Sequence, residues 1–174
     1  SKAHPVRLAA TPNYTWRDFL QVDGRLPDGT VLTVIVNHWP SRNNEEALRI
    51  ATARKLKAIT DSIFQEDPQR AMILMGDFND GPANASLQTL GAEQQRSDVE
   101  PGEFYNVMAP RAAKGEGSYC YRGDWNMLDN LLVSHSLLPK FASQASGARP
   151  HFLQGSGRVF SPEWLRQDGP PRYE

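Results

Sequence analysis

The sequence predicts an α/β layered protein, and three observations carry that prediction. An apolar β-branched run at 31–36 and a second apolar run at 71–75 are separated by one long helical pattern. Elements alternate as strand, helix, strand, helix, hairpin, the order of a layered α/β chain. Short polar clusters end the apolar runs, at Asn37-His38, Asp77-Phe78-Asn79 and Trp125-Asn126 leading to Asp129. Strand ends along one sheet edge are where such folds place their sites.

Each element follows from local chemistry. Residues 1–14 show no period and read as irregular or weakly stranded. Phe19, Leu20 and Val22 form a short strand, "DGRLPDG" is turn material, and Val31 to Val36 return as the second arm of a hairpin. Pro40, with no backbone N–H, stops that ladder. "SRNNEEALRIATARKLKAITDSIFQ" is the best helix. Asn43 or Asn44 is placed to cap it, Glu45 and Glu46 suit the positive end of its dipole, and Leu48, Thr52, Leu56, Ile59 and Ile63 share one face.

Ala71–Met75 reads as a strand buried on both faces, freed at Gly76 and followed by Asp77, Asn79 and Asp80. "NASLQTLGA" is a short helix closed near Gly91. Residues 93–117 read as loops around "YNVM". "GSYCYRGDWNMLDNLLVS" reads as strand, turn, strand, the last from about Leu128 to Ser134. Beyond Gln144 the expectation is loops and one short helix near Pro162–Arg166.

Bulk properties narrow the function. At 174 residues one domain is the default, read here as spanning 1–174. A formal net charge of −1 gives no global basic field for nucleic acid, although it leaves room for a local arginine cluster. Cys120 is the single cysteine, so no intrachain disulfide forms. No apolar run reaches the ~18 residues of a membrane span. Zinc and nucleotide signatures (C-x-x-C, H-E-x-x-H, G-x-x-x-x-G-K) and the G-x-S-x-G elbow are absent.

The polar clusters admit specific chemistry, each beside a plainer reading. Asp77 and Asn79, two apart, would project to one face of an extended segment and hold a water to be deprotonated; the plain alternative is an Asx turn with Asp80-Gly81. His38 suits a general acid, an oxyanion stabiliser or a metal ligand, or a histidine satisfied by a backbone carbonyl. Arg42 would take a phosphate bidentately, or sit solvated in a loop. Asp129, among Met127, Leu128 and Leu131, would orient a histidine, pair with an arginine or cap a loop. Trp125 and Asn126 would wall a pocket or pack on the sheet. His4, His135 and His151 have no polar partner at ligand spacing and read as surface or structural. A hard cation held by carboxylates fits this inventory better than zinc.

Three strings, "VIVNHWPSR" (34–42), "MILMGDFND-P" (72–82) and "WNMLDNLLVS" (125–134), occur in this order, with "RDFLQVDG" (17–24) before them. This pattern resembles the endonuclease/exonuclease/phosphatase family, of deoxyribonuclease I-like fold, and within it a bacterial NHWPSR branch. The resemblance covers roughly residues 7–138. It implies a four-layer α/β/β/α sandwich and Mg²⁺- or Mn²⁺-dependent hydrolysis of a phosphate ester, in nucleic acid, a nucleotide or a phospholipid head group, by in-line attack of water. By the same resemblance Asp77 activates or positions that water and is a metal ligand. Asn79 holds the phosphate or the water, His38 hydrogen-bonds the phosphate as charge builds, and Asp129 orients a C-terminal histidine. Asn37 supports the His38 loop. From the residues themselves, Asn37, Trp39, Arg42, Trp125 and Asn126 are read on the substrate side, where Trp39, Trp125 and Arg42 would stack on a base or line a lipid head-group pocket.

The family's upstream Asn and metal-binding Glu, and its closing S-D-H segment, have no counterpart in this sequence. The reading is therefore a partial domain lacking the N-terminal half, weak or inactive alone. It is prone to pair with another copy or with the rest of the domain through an uncovered apolar face. The other reading is a non-catalytic domain that holds a phosphorylated ligand on the same fold.

Overall fold

The computed structural model describes residues 1–13, 16–138 and 155–159. Its centre is a seven-stranded sheet in the order β1-β2-β3-β4-β9-β6-β5. The strands are β1 (Lys2–Val6), β2 (Trp16–Arg25), β3 (Val31–His38), β4 (Ala71–Asp77), β5 (Ala92–Glu93), β6 (Phe104–Asn106) and β9 (Asp129–Ser134). A separate two-stranded hairpin pairs β7 (Tyr119–Tyr121) with β8 (Asp124–Asn126). Among the described residues the α-helices are α1 (Glu46–Glu66), α2 (Ala85–Leu90) and α3 (Ala109–Ala112).

β3 and β4 run parallel, joined through α1, so both end at the same sheet edge. β9 lies antiparallel on the far side of β4 and begins at that edge. The expected hairpin is present as β2 and β3, in register from Leu20↔Val36 to Arg25↔Val31. Its second arm continues through Asn37 and His38 rather than stopping at Val36.

The main core lies between one sheet face and the helices. Phe19, Ile35, Met72, Leu74, Phe104 and Leu132 from the strands meet Leu56, Phe64, Leu87 and Leu90 from α1 and α2. Burial of such side chains contributes about 1.5–3 kcal/mol each relative to exposure. On the opposite face Val107, Met108, Val133, Leu137 and Leu138 form a smaller cluster under loops. The rest of that face is open: Leu20, Val22, Val36 and Met75 are 40–45% exposed. The architecture is thus a mixed α/β sheet with a helical layer on one face. Among the described residues no second large sheet covers the other.

Several local expectations are corrected. Of the two readings of residues 1–14, the stranded one holds over residues 2–6, an edge strand held by pairing with β2 (Lys2↔Gln21 to Val6↔Trp16) although only Val6 in it is buried. β4 is not buried on both faces, because Met75 looks out of the uncovered one. Neither Asn43 nor Asn44 caps α1. Glu45 takes the N-cap position without a side-chain hydrogen bond, and Asn44 Nδ2 turns back to Ser41. The buried stripe of α1 is Arg49, Thr52, Ala53, Leu56, Thr60 and Phe64, with Leu48, Ile59 and Ile63 on its flank. The 93–117 segment contains β5, β6 and α3, elements too short to show a period. α2 ends where expected, with Gly91 left-handed at φ 80°. The helix expected near Pro162–Arg166, and His151, lie outside the described residues.

Candidate functional site

The site grows from register. His38, the last residue of β3, is opposite Asp77, the last of β4, and Asp77 is opposite Asp129, the first of β9. Three strand ends therefore place an imidazole and two carboxylates in one row. His38 Nε2 is 3.7 Å from Asp77 Oδ2, with the two side chains 46% and 34% exposed. Trp39 N–H donates to the Asp77 carbonyl and Phe78 N–H to that of Leu128, both at 2.9 Å, so the ladders continue into the loops and fix the row.

Gly76 is required where it stands. Its φ is 128°, and a Cβ there would collide with the Asn37 carbonyl of the neighbouring strand. Asn37 is buried and donates through Nδ2 to the Ile35 carbonyl at 3.1 Å. Its Oδ1 accepts from Trp39 Nε1 at 3.4 Å, so Asn37 supports the His38 loop from beneath rather than facing a substrate.

Partial burial raises the pKa of Asp77. The Asn79 backbone N–H, donating to Oδ1 at 2.8 Å, opposes that shift, the Asp129 charge adds to it, and His38 and Arg17 oppose it. Arg17, on β2, escaped the sequence reading because nothing local links it to the Asp77 loop.

Asn79 is corrected in geometry. It is left-handed (φ 52°), so the segment is not extended and the plain Asx turn is present. Its side chain is nearly buried and donates from Nδ2 to the Trp39 carbonyl at 3.0 Å, which ties the two motif loops together. Trp39, expected on the substrate side, is fully buried and packs edge-on against Phe78 with centroids 4.8 Å apart. It cannot stack on a ligand.

Asp129 is exposed despite its apolar neighbours, and its backbone N–H donates to Ser118 Oγ at 2.9 Å. Arg42 and Asn126 do meet, Nη1 to Oδ1 at 3.0 Å, and Trp125 is 47% exposed. Among the described residues no group of three His, Cys, Asp or Glu side chains is arranged to hold a metal.

Beneath the row lies a polar network that the sequence reading missed. Asp80, read only as turn material, is 2% exposed and its Oδ2 accepts from Ser86 Oγ at 2.6 Å. Arg49 of α1 approaches the same oxygen to 2.8 Å as an ion pair, without hydrogen-bond alignment at Nε. Asn130 Nδ2 donates to the Asp80 carbonyl, and Asn106 Nδ2 to Asn130 Oδ1, each at 2.9 Å. An arginine on the buried stripe of a helix was the available signal, since such a charge needs a partner.

A model of the Endonuclease/Exonuclease/phosphatase family matches residues 1–174. Among solved structures the chain is similar to the human Nocturnin catalytic domain with bound sulfate anion, at 19% identity and a TM-score of 0.54, covering 77% of this chain and 47% of that one. It is also similar to truncated Caenorhabditis elegans TDP2, at 14% identity and a TM-score of 0.53, covering 79% and 53%. At these identities the likeness is one of fold, and the chain spans about half the length of either structure. No curated protein sequence matches. The chain belongs to the endonuclease/exonuclease/phosphatase family.

Proposed function

We propose that this chain is the motif-bearing part, a single partial domain over 1–174, of a phosphoesterase that cleaves phosphate esters by in-line attack of water. The observation that carries the reading is the row in which Asp77 stands in register between His38 and Asp129. A carboxylate whose proton affinity is raised by burial and by a second carboxylate is a better base than an ordinary one. In this reading Asp77 takes the proton of the attacking water. His38, half exposed at 3.7 Å, donates to the phosphate oxygen as negative charge develops. Asn79 positions rather than reacts, because its amide is committed to the Trp39 carbonyl. Asp129 sustains the raised proton affinity of Asp77 and is free to orient a further group.

Mg²⁺ or Mn²⁺ belongs to this reading as the family's cofactor. The donors present are of the right kind, hard carboxylate oxygens, but two carboxylates make too few anionic ligands for a tight site. Asp77 would supply one ligand of a set completed elsewhere. The uncovered apolar face fits the same picture of a partial domain, with a second sheet from another copy or from the rest of the domain laid against it.

Hydrolysis of bis(p-nitrophenyl) phosphate by the full-length protein with Mg²⁺ or Mn²⁺ tests the proposal. Turnover that disappears in Asp77→Ala with phosphate-ester binding retained supports it. Ligand binding without turnover in either protein favours the non-catalytic reading instead.

A further inference from the structure

The ion pair buried beneath the row is unfavourable on two local counts. Arg49 is the fourth residue of α1 and is 6% exposed. A cation near the start of a helix opposes the macrodipole. A buried ion pair is often no more stable than apolar side chains of the same volume. Arg49 also interrupts the stripe on which α1 buries Ala53, Leu56 and Phe64. Its presence there calls for a role other than stability.

The geometry supplies one. Arg49 Nη1 donates to the carbonyl of Ser41 at 3.3 Å and to that of Asn44 at 3.2 Å. Both belong to the loop that leaves β3 after His38. Nε of the same group lies 2.8 Å from Asp80 Oδ2, in the loop that leaves β4 after Asp77. Asp80 accepts at its carbonyl from Asn130 Nδ2 at 2.9 Å, and Asn130 follows Asp129 on β9. The pair therefore has a tie to each strand end that carries His38, Asp77 or Asp129.

A guanidinium suits this task in a way that an ammonium does not. Its donors diverge in a rigid plane, so one nitrogen faces the carbonyls of the first loop while another faces the carboxylate of the second. The loops also touch directly, through Asn79 Nδ2 on the Trp39 carbonyl at 3.0 Å and the packing of Trp39 on Phe78. Only the Arg49 fork, among these contacts, ties both loops to α1.

We propose that Arg49, acting through Asp80, is a positioning residue for phosphate-ester hydrolysis that sets the 3.7 Å spacing of His38 and Asp77. The inference rests on the phosphoesterase reading above and adds to it a pair that does not touch the reacting atoms. A misplacement of about 1 Å can lower a rate by about 10²-fold. Loss of the fork lets the two loops drift, so it lowers kcat more than it changes KM.

The test compares Arg49→Lys and the double variant Arg49→Met/Asp80→Asn with wild type in the full-length protein. The first keeps the charge and loses the fork. The second removes both charges and so avoids an unpaired buried ion. Each should lower kcat for bis(p-nitrophenyl) phosphate by about tenfold or more, with a smaller change in KM. Residue-resolved hydrogen exchange reads the loops without turnover. The amides of Trp39 and Phe78 donate to the Asp77 and Leu128 carbonyls. In both variants they should exchange about tenfold faster relative to those of Ile35 and Leu74, which lie in the middle of their strands. A merely structural pair gives another pattern: kcat returns to wild type in the double variant as its thermal midpoint recovers, or all four amides accelerate together. Either result overturns the proposal, as does unaltered exchange at Trp39 and Phe78. The underlying reading fails separately, through absence of turnover in wild type, and the exchange measurement then still decides whether the fork holds the strand ends.

Discussion

His38 and Asp77 end adjacent parallel strands in direct register, with Nε2 3.7 Å from Oδ2 at the sheet edge where both strands stop. The parallel pairing of β3 and β4 makes this meeting unavoidable: once the apolar runs align, the residues that follow them align too. His38→Ala should therefore lower kcat by about 10²-fold or more, the usual scale for one positioned acid–base or oxyanion group, while leaving the thermal midpoint close to wild type because the side chain is half exposed. Steady-state kinetics together with a melting curve check both halves.

Asp77 makes stability depend on pH. Burial raises its pKa, so the folded chain binds that proton more tightly than the unfolded chain does. The favourable contribution is complete below the unfolded value and is lost as pH rises through the higher folded one. Asp77→Asn should therefore gain stability over wild type at neutral pH and lose that advantage in acid. Denaturant melts in chelator at several pH values measure it; an advantage that grows toward acid would contradict the burial argument.

Gly76 packs its α-carbon against the Asn37 carbonyl at φ 128°. Gly76→Ala forces the two parallel strands apart at their functional ends and should cost more than about 1 kcal/mol. Chemical denaturation gives the loss. A neutral substitution would mean that the strand ends are looser than the register implies.

Arg49 and Asp80 form a buried ion pair beneath the Asp77 loop. Breaking it by Arg49→Met leaves Asp80 buried without its counter-charge, at about 3–5 kcal/mol. The double variant Arg49→Met/Asp80→Asn should recover a large part of that loss, and a double-mutant cycle reads the coupling.

The uncovered sheet face should drive association. Val36 and Met75 are each 40% exposed at neighbouring register positions, Val36↔Met75. Sedimentation of the 174-residue chain should show concentration-dependent self-association, reduced in Val36→Lys/Met75→Lys. A monomer at all concentrations would count against the partial-domain reading.

Much of this was legible in the sequence because it is periodic or local. The β-branched run of 31–36, the apolar run of 71–75 and the long helix between them announced the central β3-α1-β4 unit. The polar residues ending those runs announced the row. Non-local features were hidden. Residues 2–6 become a strand only by pairing with β2, and Asp80 becomes a buried anion only because Arg49 arrives from another element. Trp39 looked like a substrate wall because the sequence does not say that Phe78 will close over it. Asn79 looked extended because its left-handed turn is set by the Asp77 carboxylate.

The most direct test of the central claim is kcat for a phosphodiester in the full-length protein, wild type against Asp77→Ala, with substrate affinity measured alongside. The account predicts a fall of about 10²–10⁴-fold at unchanged affinity, the range expected for loss of a positioned general base. A variant that turns over as fast as wild type would contradict it.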